Sequence, residues 1–168
     1  LVALAQIGAL EVHVWGSRRE HLERPDQLVF DLDPGPGVRF EDILEAAREV
    51  RGLLLRLGLV SFPKLTGGVG LHVVVPVRPT RAWPVAKRFC RAVAETLERD
   101  APRRYTASLA KAERGGKIFV DYLRNARGAT AVAPYSPRAR PGAPVAMPVA
   151  WDELGPGLRP DAFGVRDV

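Results

Sequence analysis

From Phe40 the chain repeats apolar side chains at helical spacing: Phe40, Ile43, Leu44, Ala47, Val50, Leu54 and Leu57 form one stripe. Glu41 and Asp42 stand in its first turn and Arg56 in its last, and Gly58 follows where a C-terminal cap belongs. A second stripe, Val85, Ala86, Phe89, Val93 and Leu97, predicts a helix over 82–99. Elsewhere the period is two. Leu10, Val12 and Val14 alternate with Glu11, His13 and Trp15 and predict a strand. Leu28 to Asp33 predicts a second, stopped by Pro34-Gly35-Pro36-Gly37, Leu71 to Val77 a third and Ile118 to Leu123 a fourth. Residues 1–8 read as the end of a helix, Ser17 to Gln27 as a charged loop, and Ala107 to Arg114 as a short helix. Residues 130–150 form a Pro-rich segment with extended pieces. There is no internal repeat, and the pattern predicts one α/β domain.

Composition agrees. The 168 residues are 46% hydrophobic and 26% charged, which excludes a disordered tail and a membrane bundle. No stretch reaches the ~20 apolar residues of a membrane helix, and the run Leu1 to Leu10 lacks a basic leader and contains Gln6. A soluble, cytoplasmic protein without membrane contact is expected. The single cysteine, Cys90, allows no internal disulfide, fits a reducing compartment and borders a helical stripe, where a small core residue belongs. The net charge is +6, and only four of the 25 Lys+Arg residues are lysines. Arginine's planar fork suits phosphate, so nucleotides or nucleic acids are compatible partners, although an Arg-rich proteome gives the same bias.

The chemistry concentrates at acids inside apolar strands. Asp31 and Asp33 are two apart in Leu28-Val29-Phe30-Asp31-Leu32-Asp33, so both carboxylates project from one face and can reach one ion. Asp121 interrupts Ile118-Phe119-Val120-Asp121-Tyr122 in the same way. Alone, a D-x-D pair is equally a solvated strand end. Three such acids suit hard cations that clamp the oxygens of a phosphoryl transfer. Haloacid-dehalogenase-type phosphatases also carry D-x-D on a strand, but Pro34-Gly35 replaces their Gly-Thr here and no lysine-plus-acid pair follows.

Lys64 to His72, with Thr66, Gly67, Gly68 and Gly70, joins a glycine-rich loop to a strand. Glycine lets backbone amides approach phosphate, and the Thr66 hydroxyl and His72 ring add donors. The loop is no Walker A motif, since no Gly-Lys-Ser/Thr closes it and a strand follows. In isolation the loop reads as a hairpin turn, His72 as a strand histidine, and Arg114 and Arg138 as surface charges. Beside the acids, both arginines become candidates to neutralise a triphosphate.

In order and spacing these pieces resemble the polymerase domain of bacterial DNA ligase D, in the archaeo-eukaryotic primase superfamily. The matching segments are Leu10 to Gly16, Asp31 to Gly35, Lys64 to His72, Arg114 with Lys117 to Asn125, Thr130 to Ser136 with Arg138, and Pro148 to Leu154 with Trp151. The resemblance implies a primase-like α/β (α+β) core with a mixed or antiparallel, RRM-like sheet flanked by helices. It implies Asp31, Asp33 and Asp121 as catalytic ligands of two divalent metal ions, Mn2+ favoured or Mg2+. Thr66, Gly67, His72, Arg114 and Arg138 would surround the triphosphate of an NTP or dNTP substrate, with His13 near the sugar. The implied reaction adds nucleotides to a primer 3′-hydroxyl at DNA ends or gaps in non-homologous end joining. A fused or associated ligase domain and a Ku-type end-binding protein are the implied partners, in the nucleoid.

Two positions depart from the family pattern: Thr66 replaces the usual serine and Val69 a frequent lysine or polar residue. The chain also begins at Leu1 without Met, and the family's N-terminal segment, which grips a downstream 5′-phosphate, precedes the first matched motif. Residues 1–168 are therefore expected to be the catalytic portion of a larger domain. A catalytically inactive nucleic-acid- or nucleotide-binding remnant is the alternative.

Overall fold

The chain opens with a short helix, α1 (Val2–Gln6), and a short strand, β1 (His13–Trp15), before the alternation at Leu28 becomes β2 (Gln27–Pro34). The two amphipathic stripes become α2 (Phe40–Arg56) and α3 (Trp83–Asp100). Between them lie β3 (Phe62–Leu65) and β4 (Leu71–Pro76), and after them come β5 (Tyr105–Thr106), β6 (Ile118–Asp121) and β7 (Thr130–Val132). The computed structural model describes residues 2–168.

β2, α2, β3, β4, α3 and β6 form a βαββαβ unit with strand order β3-β4-β2-β6, and β5 adds a parallel edge strand to β6. Every other pairing in this five-stranded sheet is antiparallel. That is an RRM-like order, the arrangement implied by the family resemblance. Leu28, Phe30 and Leu32 of β2, with Leu71, Val73 and Val75 of β4, point to one face. There they meet the buried stripes of α2 (Ile43, Leu44, Ala47, Val50, Leu54) and α3 (Ala86, Cys90, Val93, Leu97). Burying each large aliphatic side chain contributes about 1.5–3 kcal/mol, so this face sets the register of β2.

Val29, Asp31 and Asp33 occupy the opposite face. A second, two-stranded sheet of β1 and β7 borders it, with His13 opposite Val132 and Trp15 opposite Thr130. Val14, Ala131 and Val132 of this ribbon line a cavity of ≈ 170 Å³ together with Val29, Phe62 and Val74 of the main sheet. Lys64 links the two sheets by donating its amine to the Val132 carbonyl.

The observed elements differ from the sequence pattern mainly where strands are short. β3 has no counterpart in the sequence pattern, since Pro63 interrupts its apolar run, and β5 has only two residues, too few for a period. The first strand is shorter than its alternation: Val12 donates to the Ser136 hydroxyl at 2.8 Å, so this part is held by a loop. Ala107 to Arg114 contains only a 3₁₀ turn, Lys111–Arg114. The fourth strand ends at Asp121, and Leu123–Asn125 turns away as another 3₁₀ segment. In the Pro-rich segment β7 and single bridges replace a longer ladder, since proline has no N–H to donate. No helix among the described residues is long and apolar enough to cross a membrane.

Because β6 departs at Asp121, it leaves the β2 edge uncovered at Val29. The Asn125 side chain fills that place: Oδ1 accepts from the Val29 amide at 2.8 Å and Nδ2 donates to its carbonyl at 2.7 Å. Asn125 is buried. Losing this amide strands two buried backbone groups, so Asn125→Ala should lower stability by about 2–4 kcal/mol. Urea denaturation should show the lower midpoint with an unchanged m-value, and Asn125→Asp should recover only the bond from the Val29 amide.

Candidate active site

In an antiparallel ladder, directly opposite side chains lie on one face. Lys64 pairs with His72, His72 with Asp31, and Asp31 with Asp121, so four strands set these residues in one polar row. Asp33 follows on the same face of β2, opposite Phe119. Asp31, Asp33 and Asp121 each offer a carboxylate oxygen, all within 4.8 Å of one another. His72 Nε2 lies 3.3 Å from Asp31 Oδ1. The 3₁₀ turn after β6 aims Arg124 back over the row, with Nε 3.1 Å from Asp31 Oδ2 and 3.4 Å from Asp121 Oδ2. Asp121 also accepts the Leu123 amide at 2.7 Å.

The environments of the acids differ. Burial opposes the Asp31 charge, but His72 and Arg124 outweigh it and hold the carboxyl below its usual range. Asp33 has no ion-pair partner among the described residues; burial and the charges of Asp31 and Asp121 push it up to about 6. Burial likewise raises Asp121, against the Leu123 amide and Arg124. Three converging carboxylates thus share one guanidinium and one imidazole. Hard oxygen donors with unbalanced negative charge fit a divalent cation of the magnesium or manganese class. At the other end of the row, burial lowers the Lys64 amine to about 8.

Asp31 and Asp33 open into a cleft of ≈ 150 Å³ that is also lined by His13, Thr66, His72 and Arg138. Most of the residues singled out from sequence therefore converge. His13 comes from the ribbon, and its Nε2 lies 2.6 Å from Glu11 Oε1. Arg138 is half-buried, donates to the Thr66 carbonyl and places Nε 3.0 Å from Glu11 Oε2. The Thr66 hydroxyl braces the glycine loop, donating to the Gly70 carbonyl at 2.9 Å and accepting the Gly68 amide at 3.2 Å.

Two predicted residues sit differently. Gly67 donates its amide to the Pro160 carbonyl at 3.1 Å, so that N–H points away from a cleft ligand. Its contribution is shape: it has φ +65°, and a Cβ there would lie 2.9 Å from Arg138 Cγ. Gly70 is likewise required, since a Cβ would stand 2.5 Å from the Leu32 carbonyl. Arg114 is outside the cleft lining; its guanidinium stacks 3.7 Å from the Phe119 ring centroid and donates to the Leu109 carbonyl at 3.2 Å. From there its charge still lowers Asp33 and Asp121.

Three participants were not identified from sequence. Arg124 carried a signal, being three residues after Asp121 in the turn that ends the strand. Glu11 lies just before β1, and its only signal in the sequence is its place two residues before His13 in the alternation. Lys64 is a lone cation beside apolar neighbours.

The family model of the LigD primase-polymerase domain matches residues 1–168. The chain is 46% identical over 154 residues to the multifunctional non-homologous end joining protein LigD of Pseudomonas aeruginosa, covering 92% of this chain and 18% of that protein. It is 42% identical over 168 residues to the LigD DNA repair protein of Mycobacterium tuberculosis, covering 95% of this chain and 22% of the relative. It is also similar to the solved polymerase domain of Mycobacterium tuberculosis ligase D in complex with DNA. That match has a TM-score of 0.86 and 40% identity, covering 94% of this chain and 58% of the other.

The raised Asp33 pKa has a definite consequence for stability. Its carboxyl titrates near 6 in the folded chain and near 3.9 when unfolded. Between these values the folded state binds more protons, so the Asp33 contribution becomes less favourable as pH rises through that window. With chelator present, Asp33→Asn should stabilise the protein at pH 8 by about 1–2 kcal/mol after solvent screening. Thermal melts should show the gain shrinking below pH 6 and absent by pH 3.5.

Proposed function

Because the chain belongs to the LigD primase-polymerase domain family, we propose that it adds ribo- or deoxyribonucleotides to a primer 3′-hydroxyl at DNA ends or gaps. The observation that carries this reading is the convergence of Asp31, Asp33 and Asp121, the first two of which open into a cleft also lined by Arg138 and His13. In the reaction the 3′-oxygen bonds to the α-phosphorus while the α–β bridging P–O bond breaks and pyrophosphate leaves.

Asp31, Asp33 and Asp121 would hold the divalent cations, two in number and manganese by preference on the family resemblance. Such a cation supplies positive charge to the attacking and leaving oxygens. His72 and Arg124 hold Asp31 ionised and oriented. Arg138 offers its remaining forked donors to the triphosphate, and Arg114, stacked on Phe119, adds charge from outside the cleft. The Thr66–Gly70 loop shapes the phosphate wall, Gly67 by letting Arg138 pack against it. His13, on the ribbon at the cleft, is assigned to the sugar.

We assign residues 1–168 to the catalytic portion of a larger polymerase domain. The chain covers 58% of the solved polymerase-domain chain and about a fifth of each multifunctional relative. Gapped or broken DNA, nucleoside triphosphates, a linked ligase domain and a Ku-type end-binding protein are the partners this assignment brings, with a cytoplasmic, nucleoid-associated location. Primer extension on gapped DNA tests it. Manganese should support incorporation, and Asp31→Ala should reduce the rate at least a thousand-fold. Salt-sensitive DNA binding with no incorporation would instead identify a non-catalytic binding remnant.

A further inference from the structure

We propose that Glu11 is a positioning residue that orients His13 and Arg138 together for the incoming nucleotide. The proposal rests on reading the cleft as a nucleotide site and adds to it a residue that need not touch the ligand. One carboxylate oxygen of Glu11 lies 2.6 Å from His13 Nε2. The other lies 3.0 Å from Arg138 Nε and accepts the Ala139 amide at 3.1 Å. Arg138 in turn donates to the Thr66 carbonyl. A continuous polar chain, His13–Glu11–Arg138–Thr66, therefore joins the ribbon to the glycine loop.

This arrangement determines which atoms face the cleft. With Nε2–H turned to Glu11, His13 presents Nδ1 as its remaining nitrogen. Arg138 holds Nε 3.0 Å from the Glu11 carboxylate as an ion pair without a hydrogen bond and donates Nη1 to the Thr66 carbonyl, which leaves Nη2 for a ligand. Contact with His13 is the largest influence holding the Glu11 carboxyl down to about 2, and Arg138 and the Ala139 amide add to it against partial burial. Glu11 is thus an anion throughout the working pH range.

Other bonds already secure the backbone on both sides. Val12 donates to the Ser136 hydroxyl at 2.8 Å and accepts the Ala133 amide at 2.9 Å, and the β1–β7 ladder continues from His13. Removing the Glu11 carboxylate therefore loosens two side chains and not the fold.

Steady-state incorporation of ATP opposite template thymine, with the full-length chain on gapped DNA, separates these roles. Glu11→Ala should raise the KM for ATP about ten-fold with kcat within three-fold, and Glu11→Gln, which keeps an acceptor, about three-fold. In a His13→Ala/Arg138→Ala background, Glu11→Ala should change ATP affinity less than two-fold. Thermal midpoints should stay within about 2 °C. An unchanged KM, a loss confined to kcat, or a ten-fold effect persisting in the double-variant background would overturn the proposal. A wild-type chain that incorporates nothing would sink the polymerase reading instead. ATP titration would then still decide Glu11, with equal dissociation constants for wild type and Glu11→Ala refuting its role.

Discussion

The pairing of Asp31 with His72 across one ladder and with Asp121 across the other brings two carboxylates and an imidazole into a single line. Asp33 joins them because strand side chains repeat on one face every second residue. Carboxylates this close repel, and what holds them is on the far side of the sheet. Leu28, Phe30 and Leu32 are buried against α2 and α3. A slip of β2 by one residue would turn those side chains outward and drive Asp31 and Asp33 into the helix-packed core. The hydrophobic face thus fixes the spacing of the charged one.

The repulsion that remains is managed locally. Arg124 spans Asp31 and Asp121, His72 faces Asp31, and Asp33 is left with a raised pKa. Arg124 can do this because β6 stops at Asp121 and the following turn is anchored by Asn125 on the buried, strand-free edge of β2 at Val29. One interruption in the sheet therefore accomplishes two things. It aims a cation at the acids and replaces the missing strand with a side-chain amide.

The acid triad, both long helices and the central strands were legible because each rests on a period that residues reveal on their own. Asp31, Asp33 and Asp121 stand out as charges in apolar alternation, and the stripes of α2 and α3 span several turns. Short or interrupted elements were not legible: β3 carries Pro63 and β5 is only two residues long. Pairings between distant segments were equally hidden. Glu11 meets Arg138 and Ala139 through a loop fold that no local pattern announces. The same limit applies to Gly67, whose amide meets Pro160, a partner far along the chain. Motif order across the chain supplied the family resemblance, which membership in the LigD primase-polymerase domain family now supports.

Asp31, Asp33 and Asp121, three acids on two strands, form the cluster proposed to hold the divalent cations. Titrating Mn2+ into the protein while following free Mn2+ by electron paramagnetic resonance tests that most directly. Saturable binding in the wild-type chain, weakened at least ten-fold by each of Asp31→Asn, Asp33→Asn and Asp121→Asn, is the result predicted. Absence of saturable binding, or equal affinity in the wild type and all three variants, would contradict it.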